Sequence, residues 1–328
     1  MIGQALICTG TSFDPYYNLA AEQVLLEQVR DGEIILYLWQ NRHTVVIGRN
    51  QNAWKECRTE KLAADGGFLA RRLSGGGAVY HDLGNLNFTF LMKEADHDVD
   101  RQLSVIMKAV GRYGITAEKS GRNDVLAAGR KFSGNAFYSS RGQYYHHGTL
   151  LVDADMEMLG RYLAPSKAKL AGKGVDSARG RVVNLRELAP DMTVDGLGAA
   201  MEDAFQEVYG LRAGRIAPEE TDAEKLRAYR ERNCSNDWLY GRRIPFSFSC
   251  GERFPWGGIE LELQVDGGLV QGCSVYTDAM DHRLADELRK GMTGCSFSAD
   301  ALCCAVLRAE AAEDIRKDIC GMIMRQDL

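Results

Sequence analysis

Residues 71–85 read RRLSGGGAVYHDLGN, three consecutive glycines behind two arginines and a serine. The flanking runs, FLARRL and AVYH, have β character. Glycine has no Cβ, so the backbone can take positive φ and lie directly against a ligand or another chain segment. Successive amide N–H groups can then converge on an anion, and arginine adds planar donors suited to phosphate or carboxylate. The pattern predicts strand–loop–strand, with Arg72, Ser74, Gly75, Gly76 and Gly77 as an anion cradle. A glycine-rich hairpin loop with solvated arginines is the alternative on local sequence. The chain has no G-x-x-x-x-G-K-[ST] motif, and no G-x-G-x-x-G that opens a helix after a strand, so nucleotide binding here requires a different fold.

The rest of the chain supplies that fold. Asp14-Pro15 starts a helix through NLAAEQVLLEQV, and helices are predicted over NAWKECRTEKLAADG, Val99–Tyr113, Thr193–Tyr209 and Pro218–Arg232. EIILYLWQ, HTVVIGRN, LNFTFLM and the stretch from Ile115 to Leu151 read as strands, with GRNDVLAAGRKFSG as two short strands joined at Ala127–Gly129. The Pro- and Gly-punctuated RRIPFSFSCGERFPWGG breaks the pattern. A boundary falls near Phe246, giving a main domain over 1–246 and a small C-terminal α+β domain over 247–328, with a hairpin turning at Asp266–Gly268.

At 328 residues and a net charge of −5, global attraction to nucleic acid is not expected. No apolar run is long enough to span a membrane, and the first twenty residues lack a charged start before an apolar core, so a cytoplasmic location is expected. Nine irregularly spaced cysteines without a CxxC pair read as free thiols.

Three further stretches carry chemistry. In SGRNDVLAAGRKFSGNAF, Lys131 is either a solvated strand lysine or a compact cation beside the glycine loop. The adjacent Asn123-Asp124 form a turn, or orient a ligand and hold magnesium through one carboxylate. In YYHHGTLL the two histidines point to opposite faces of a strand, so at least one is structural. Ser166–Arg186 is basic and glycine-containing, either a connector or a mobile loop over an anion.

In this order, FDPYYNLAAEQ, WKEC, RRLSGGGAVYHDLGN, GRND, GRKFSG, HHGTLL, KLAGKG–RVVNL and RFPWGGIEL resemble the lipoate–protein ligases over nearly the whole chain. The resemblance implies an α+β fold similar to biotin and lipoate ligases: a mixed, mainly antiparallel sheet flanked by helices, plus the small C-terminal domain. It implies activation of lipoate by ATP and magnesium to lipoyl-AMP, then transfer to one lysine of a lipoyl carrier. The carriers implied are 2-oxoacid dehydrogenase acyltransferase subunits and the glycine-cleavage H protein. The family's phosphate-contacting arginine and glycine loop fall on Arg72 and on Gly77, Ala78, Val79 and Tyr80, and its essential lysine on Lys131. Asn123 and Asp124 join the adenylate side, with Asp124 as the magnesium ligand. Arg71, His81, His147, Gly148 and Thr149 are expected to meet lipoate, and Trp39 and Val45–Ile47 are candidates for its apolar wall or for plain core. An acyltransferase of the same fold would need a cysteine nucleophile, yet none occurs between Cys57 and Cys234. A biotin ligase would carry an arginine-interrupted GRGR-type loop where this chain has SGGGAV.

Overall fold

The computed structural model describes residues 2–121, 123–163, 182–241 and 245–326. The strands of the first 241 residues are β1 (Gln4–Thr9), β2 (Glu33–Trp39), β3 (Thr44–Ile47), β4 (Phe68–Arg71), β5 (Val79–His81), β6 (Asn85–Lys93), β7 (Ala117–Ser120), β8 (Asp124–Ala127), β9 (Arg130–Ser140), β10 (Gln143–Leu151) and β11 (Gly214–Ile216). Eight of them form one sheet in the order β11-β1-β2-β6-β10-β9-β8-β7. Its β11–β1 and β1–β2 pairs are parallel and its other pairs antiparallel.

Both faces of this sheet are covered, which is why EIILYLW on β2 is buried along its whole length. Ile34, Leu36 and Leu38 pack with Phe88 and Phe90 against the helices Val99–Gly111 and Val194–Tyr209. Ile35, Tyr37 and Trp39 face the other way, toward the helices Pro15–Gln28 and Ala223–Cys234. The helix at Pro15 starts where the sequence indicates: Asp14 accepts from the Tyr16 N–H at 2.9 Å, and proline fills the first turn.

The run NAWKECRTEKLAADG differs from expectation. It breaks into Ala53–Glu56 and Thr59–Ala64. Cys57 is drawn into an antiparallel bridge with Leu163, and Arg58 donates to the Gly160 and Arg161 carbonyls. These tertiary bonds outweigh helix propensity. Pro218–Arg232 likewise splits into a short turn of helix and a helix capped by Asp222. The β8–β9 hairpin turns at Ala128 and Gly129, both at positive φ.

The strands flanking the glycines are not paired with each other. β4 and β5 lie on opposite sides of β3 in a separate three-stranded sheet, so the loop crosses the end of β3 and the simple hairpin is excluded. Beyond residue 244, β12 (Phe248–Phe254), β13 (Gly257–Asp266) and β14 (Leu269–Thr277) form a third sheet. The helices Leu284–Met292, Ala299–Arg308 and Glu313–Met324 cover it around a core of their own. No described helix is long and apolar enough to cross a membrane.

Candidate active site

A cavity of about 160 Å³ opens where the glycine loop meets β9 and β10. Arg72, Gly76, Gly77, Ala78, Val79 and His81 line one side of it, and Asn123, Lys131, His147, Gly148 and Thr149 the other. Trp39, Val46 and Leu19 add apolar lining. Eleven of the residues singled out in the sequence as polar-site candidates thus share one space, with two of the suggested wall residues.

Five do not line it. Tyr80 alternates with Val79 and His81 along β5, so it faces the opposite cluster with Tyr162. Arg71 alternates with Arg72 in the same way. Its buried guanidinium donates to the carbonyls of Trp238, Leu239, Gly48, Arg49 and Gln51, which holds it away from the expected lipoate contact. Ser74 lies behind the wall. Gly75 abuts the C-terminal unit. Asp124 reaches the site only through Lys131, by an ion pair at 2.6 Å. The basic stretch Ser166–Arg186 lies mostly outside the described residues. Its described end carries Arg186 in an ion pair with Asp153.

Lys131 owes its position to Gly134. A Cβ at residue 134 would lie 2.9 Å from the lysine Nζ. Arg72 is buried and satisfied by its own loop. Nε donates to Ser74 Oγ at 3.0 Å, and Nη2 donates to the Gly75 and Gly77 carbonyls, each at 2.7 Å. Burial lowers its pKa to about 10, which leaves it a cation at neutral pH. Arg72 is therefore a clamp that shapes the loop and adds positive potential to the cavity. Arg72→Ala is expected to cost about 3 kcal/mol of stability, because it strands several buried carbonyls. Denaturant melts of the variant check this, and an unchanged midpoint would contradict the clamp.

The clamp continues into the core. Ser74 Oγ lies 2.8 Å from His147 Nε2, and His147 Nδ1 lies 2.9 Å from Glu22 Oε1. Glu22 also accepts from Thr89 Oγ1, which accepts from Trp39 Nε1. The His147 ring thus bridges the Ser74 hydroxyl and the Glu22 carboxylate. The spacing resembles that of a Ser–His–acid nucleophile. However, Ser74 is fully buried, does not reach the cavity wall and receives an Arg72 N–H, so the chain is a brace. Glu22 was not indicated in the sequence. Its signal is Asn18 and Glu22, four apart, on a helix face that is otherwise apolar.

His146 points to the other face, as adjacent strand residues must, and sits between Gln102 and Asn135. Burial, then the charge of His147, lower its pKa from 6.5 to about 3. The unfolded chain binds this proton more readily, so stability is fully present above pH 6.5 and is lost as pH falls toward 3. His146→Gln should flatten the fall in melting temperature between pH 7 and pH 5. Parallel slopes for the two proteins would contradict this.

Among the described residues no group of three His, Cys, Asp or Glu side chains is placed to hold a metal. Asp124 contributes a single carboxylate. A single carboxylate would suit a magnesium ion that takes most of its oxygens from nucleotide phosphates.

The segment Thr277–His282 of the C-terminal unit rests on the glycine loop. The Gly76 N–H donates to the Ala279 carbonyl at 3.1 Å, and the Thr277 N–H to Asn50 at 3.0 Å. Asn50 Nδ2 donates to the His282 carbonyl at 2.8 Å, and Arg49 pairs with Asp286 at 3.2 Å.

Residues 14–206 match the lipoyl protein ligase A/B catalytic domain, and residues 243–321 match the bacterial lipoate protein ligase C-terminus. The crystal structure of P. falciparum LipL1 in complex with lipoate superposes with a TM-score of 0.88 at 26% identity, covering 98% of this chain and all of that one. A bipartite lipoate protein ligase studied with its E2 lipoyl domain, from Thermoplasma acidophilum, gives 0.63 at 25% identity over 76% of this chain and all of that one. A lipoate-protein ligase A bound with ATP, at 24% identity over 74% of this chain and 99% of its own, shares the fold with a TM-score of 0.61. With the catalytic-domain match spanning well over half of its length, the chain belongs to the lipoate–protein ligase family.

Proposed function

We propose that this protein activates lipoate with ATP to lipoyl-AMP, releasing pyrophosphate, and then passes the lipoyl group to a carrier lysine. The observation that carries the reading is the Lys131 amine at the junction of an apolar cavity and a glycine loop. Adenylation joins a carboxylate to an α-phosphate, two anions that repel. Lys131 neutralises the carboxylate and stabilises charge on the phosphate oxygens as the bond forms. The open space at Gly77 lets the backbone approach the nucleotide. Magnesium brought by ATP would take Asp124 as a ligand and screen the leaving pyrophosphate.

In the second step the carrier amine attacks the mixed anhydride, the C–N bond forms and AMP leaves. Lys131 then stabilises the oxyanion and the departing phosphate. The carrier is a lipoyl domain of a 2-oxoacid dehydrogenase acyltransferase subunit or the glycine-cleavage H protein. The solved relative from T. acidophilum, described together with its E2 lipoyl domain, supports the first.

A cysteine-dependent acyltransferase is the weaker reading. Among the described residues no cysteine lines the cavity, and Cys57 is buried with its thiol pushed up to about 12 by burial. Mass spectrometry of a carrier domain incubated with the protein and lipoate, with and without ATP, decides the matter. A lipoyl mass increment only with ATP is expected, and an ATP-independent increment from an acylated donor would overturn the ligase.

A further inference from the structure

The segment Gly48–Gln51 supports the glycine loop and also borders a second cleft. The Arg49 N–H donates to the Ser74 carbonyl at 2.9 Å, and a Cβ at residue 48 would strike the Gly76 carbonyl oxygen. Arg49 and Gln51 line a cleft of about 440 Å³ between the two units. Trp238 adds to its wall from the main unit. Ser274 on β14, with Asp286 and Arg289 on the helix Leu284–Met292, faces it from the C-terminal unit.

Positive charge exceeds negative charge around this cleft. Arg49 and Arg289 share one carboxylate, Asp286, at 3.2 and 2.7 Å. Arg71, also in the wall, donates to backbone carbonyls. Arg232 donates to Gln23 and Asn233, and its guanidinium lies 4.5 Å from the Trp238 ring, with that of Arg49 5.8 Å from the same ring. Glu260 is spent on Lys55, and Glu262, opposite Ser274 on β13, brings a second carboxylate. Four guanidinium charges thus meet two carboxylates. Burial holds the pKa of Arg71 down to about 10 and lowers that of Arg232, and the charge of Arg49 pushes both the same way.

Donors are open as well. Arg49 gives Nη2 to Asp286 and Arg289 gives Nη1, which leaves the other guanidinium N–H groups of both without a partner among the described residues. Gln51 is 2% exposed. Its Oε1 accepts from the Gly48 N–H at 2.8 Å, which fixes the amide orientation, and its Nε2 has no partner among the described residues.

We propose that this cleft is a second anion seat, for a small phosphate-bearing anion held by Arg49 of the main unit and Arg289 of the C-terminal unit. Guanidinium forks match phosphate oxygens, and a multivalent anion meets both at once. Two sources share that chemistry: free inorganic phosphate, and the pyrophosphate released on adenylation. The second source rests on the ligase reading above, and the seat does not. Because Arg49 lies on the segment that supports the glycine loop, an anion here ties the C-terminal unit to that loop.

The test is calorimetric titration of the full chain with inorganic phosphate and, separately, with pyrophosphate, at fixed ionic strength and without magnesium or lipoate. Lys131→Ala, which removes the amine of the main cavity, should leave the binding in place. Arg289→Gln should weaken it about ten-fold or more, and Arg49→Gln likewise, with thermal melts to show that each variant is folded. Tighter binding of pyrophosphate than of phosphate would make the reaction product the occupant, and equal binding would make it free phosphate; either upholds the seat. No binding of either anion up to about 10 mM, or binding unmoved in both arginine variants, overturns it. Binding abolished by Lys131→Ala also overturns it, because the anion then lies in the main cavity. Binding at the seat by a chain that releases no pyrophosphate from lipoate and ATP would overturn the ligase reading and leave this inference standing.

Discussion

Lys131→Ala should lower lipoate adenylation by a factor of about 100 to 1,000 and leave the melting temperature almost unchanged. The two halves of this expectation have separate causes. The amine's ionic partner in the structure is Asp124, and both side chains are about one-third exposed, at 34% and 37%. A pair so open to water contributes between zero and about 1 kcal/mol, so its loss hardly weakens the fold. In the reaction the same amine meets charge that develops only as carboxylate and phosphate combine, inside a partly dehydrated cavity where a fixed cation is worth far more. Lys131→Arg should not rescue, because the amine fits against the bare Cα of Gly134 and a planar guanidinium is wider. Gly134→Ala should mimic part of the defect by displacing the amine. Pyrophosphate release at saturating lipoate, with thermal melts in parallel, checks all three. A near-normal rate for Lys131→Ala would remove the lysine from the chemistry.

Much of this site was legible because its backbone is unusual. Consecutive glycines behind Arg72 mark a loop that tolerates close neighbours, and the alternation of HHGTLL sets opposite faces for His146 and His147. The same alternation argues against Tyr80 and Arg71 as cavity residues. Carrying the motif over as a block puts them there, whereas period two separates them from Val79, His81 and Arg72. Other features depended on tertiary partners. The break at Cys57 needs Leu163, over a hundred residues on. Asn85, Asn87 and Thr89 form a polar stripe on an otherwise apolar strand, visible in the sequence. Why the stripe is polar becomes clear only when Glu22, Trp39 and the cavity are seen beside it. Gly75 is similar. Its lack of a side chain reads as room for phosphate, but in the fold that room is taken by the C-terminal unit.

Gly75→Ala is therefore expected to act on the contact between the two units, and through it on adenylation. A Cβ at residue 75 would lie 2.4 Å from the Ala279 carbonyl oxygen and 2.6 Å from that of Met280. Both are backbone atoms, so no rotamer relieves the clash and the segment Thr277–His282 must move off. The bonds beside it then go: Gly76 N–H to Ala279, Thr277 N–H to Asn50, and Asn50 to His282. The surface ion pairs Arg49–Asp286 and Lys55–Glu260 are too exposed to hold the interface alone. The large sheet and the C-terminal sheet have separate cores, so each should stay folded. The result expected is faster proteolysis around residues 277–282 and a fall of about ten-fold in pyrophosphate release, because the loop loses the wall that fixes its geometry. Transfer from preformed lipoyl-AMP to a carrier should suffer less, since that step needs no nucleotide phosphates held against the loop on which Thr277–His282 rests. Truncation before Phe246 should give the same division between the two half-reactions. Equal losses in both, or faster adenylation once the segment is released, would mean that the C-terminal unit does not support the first step.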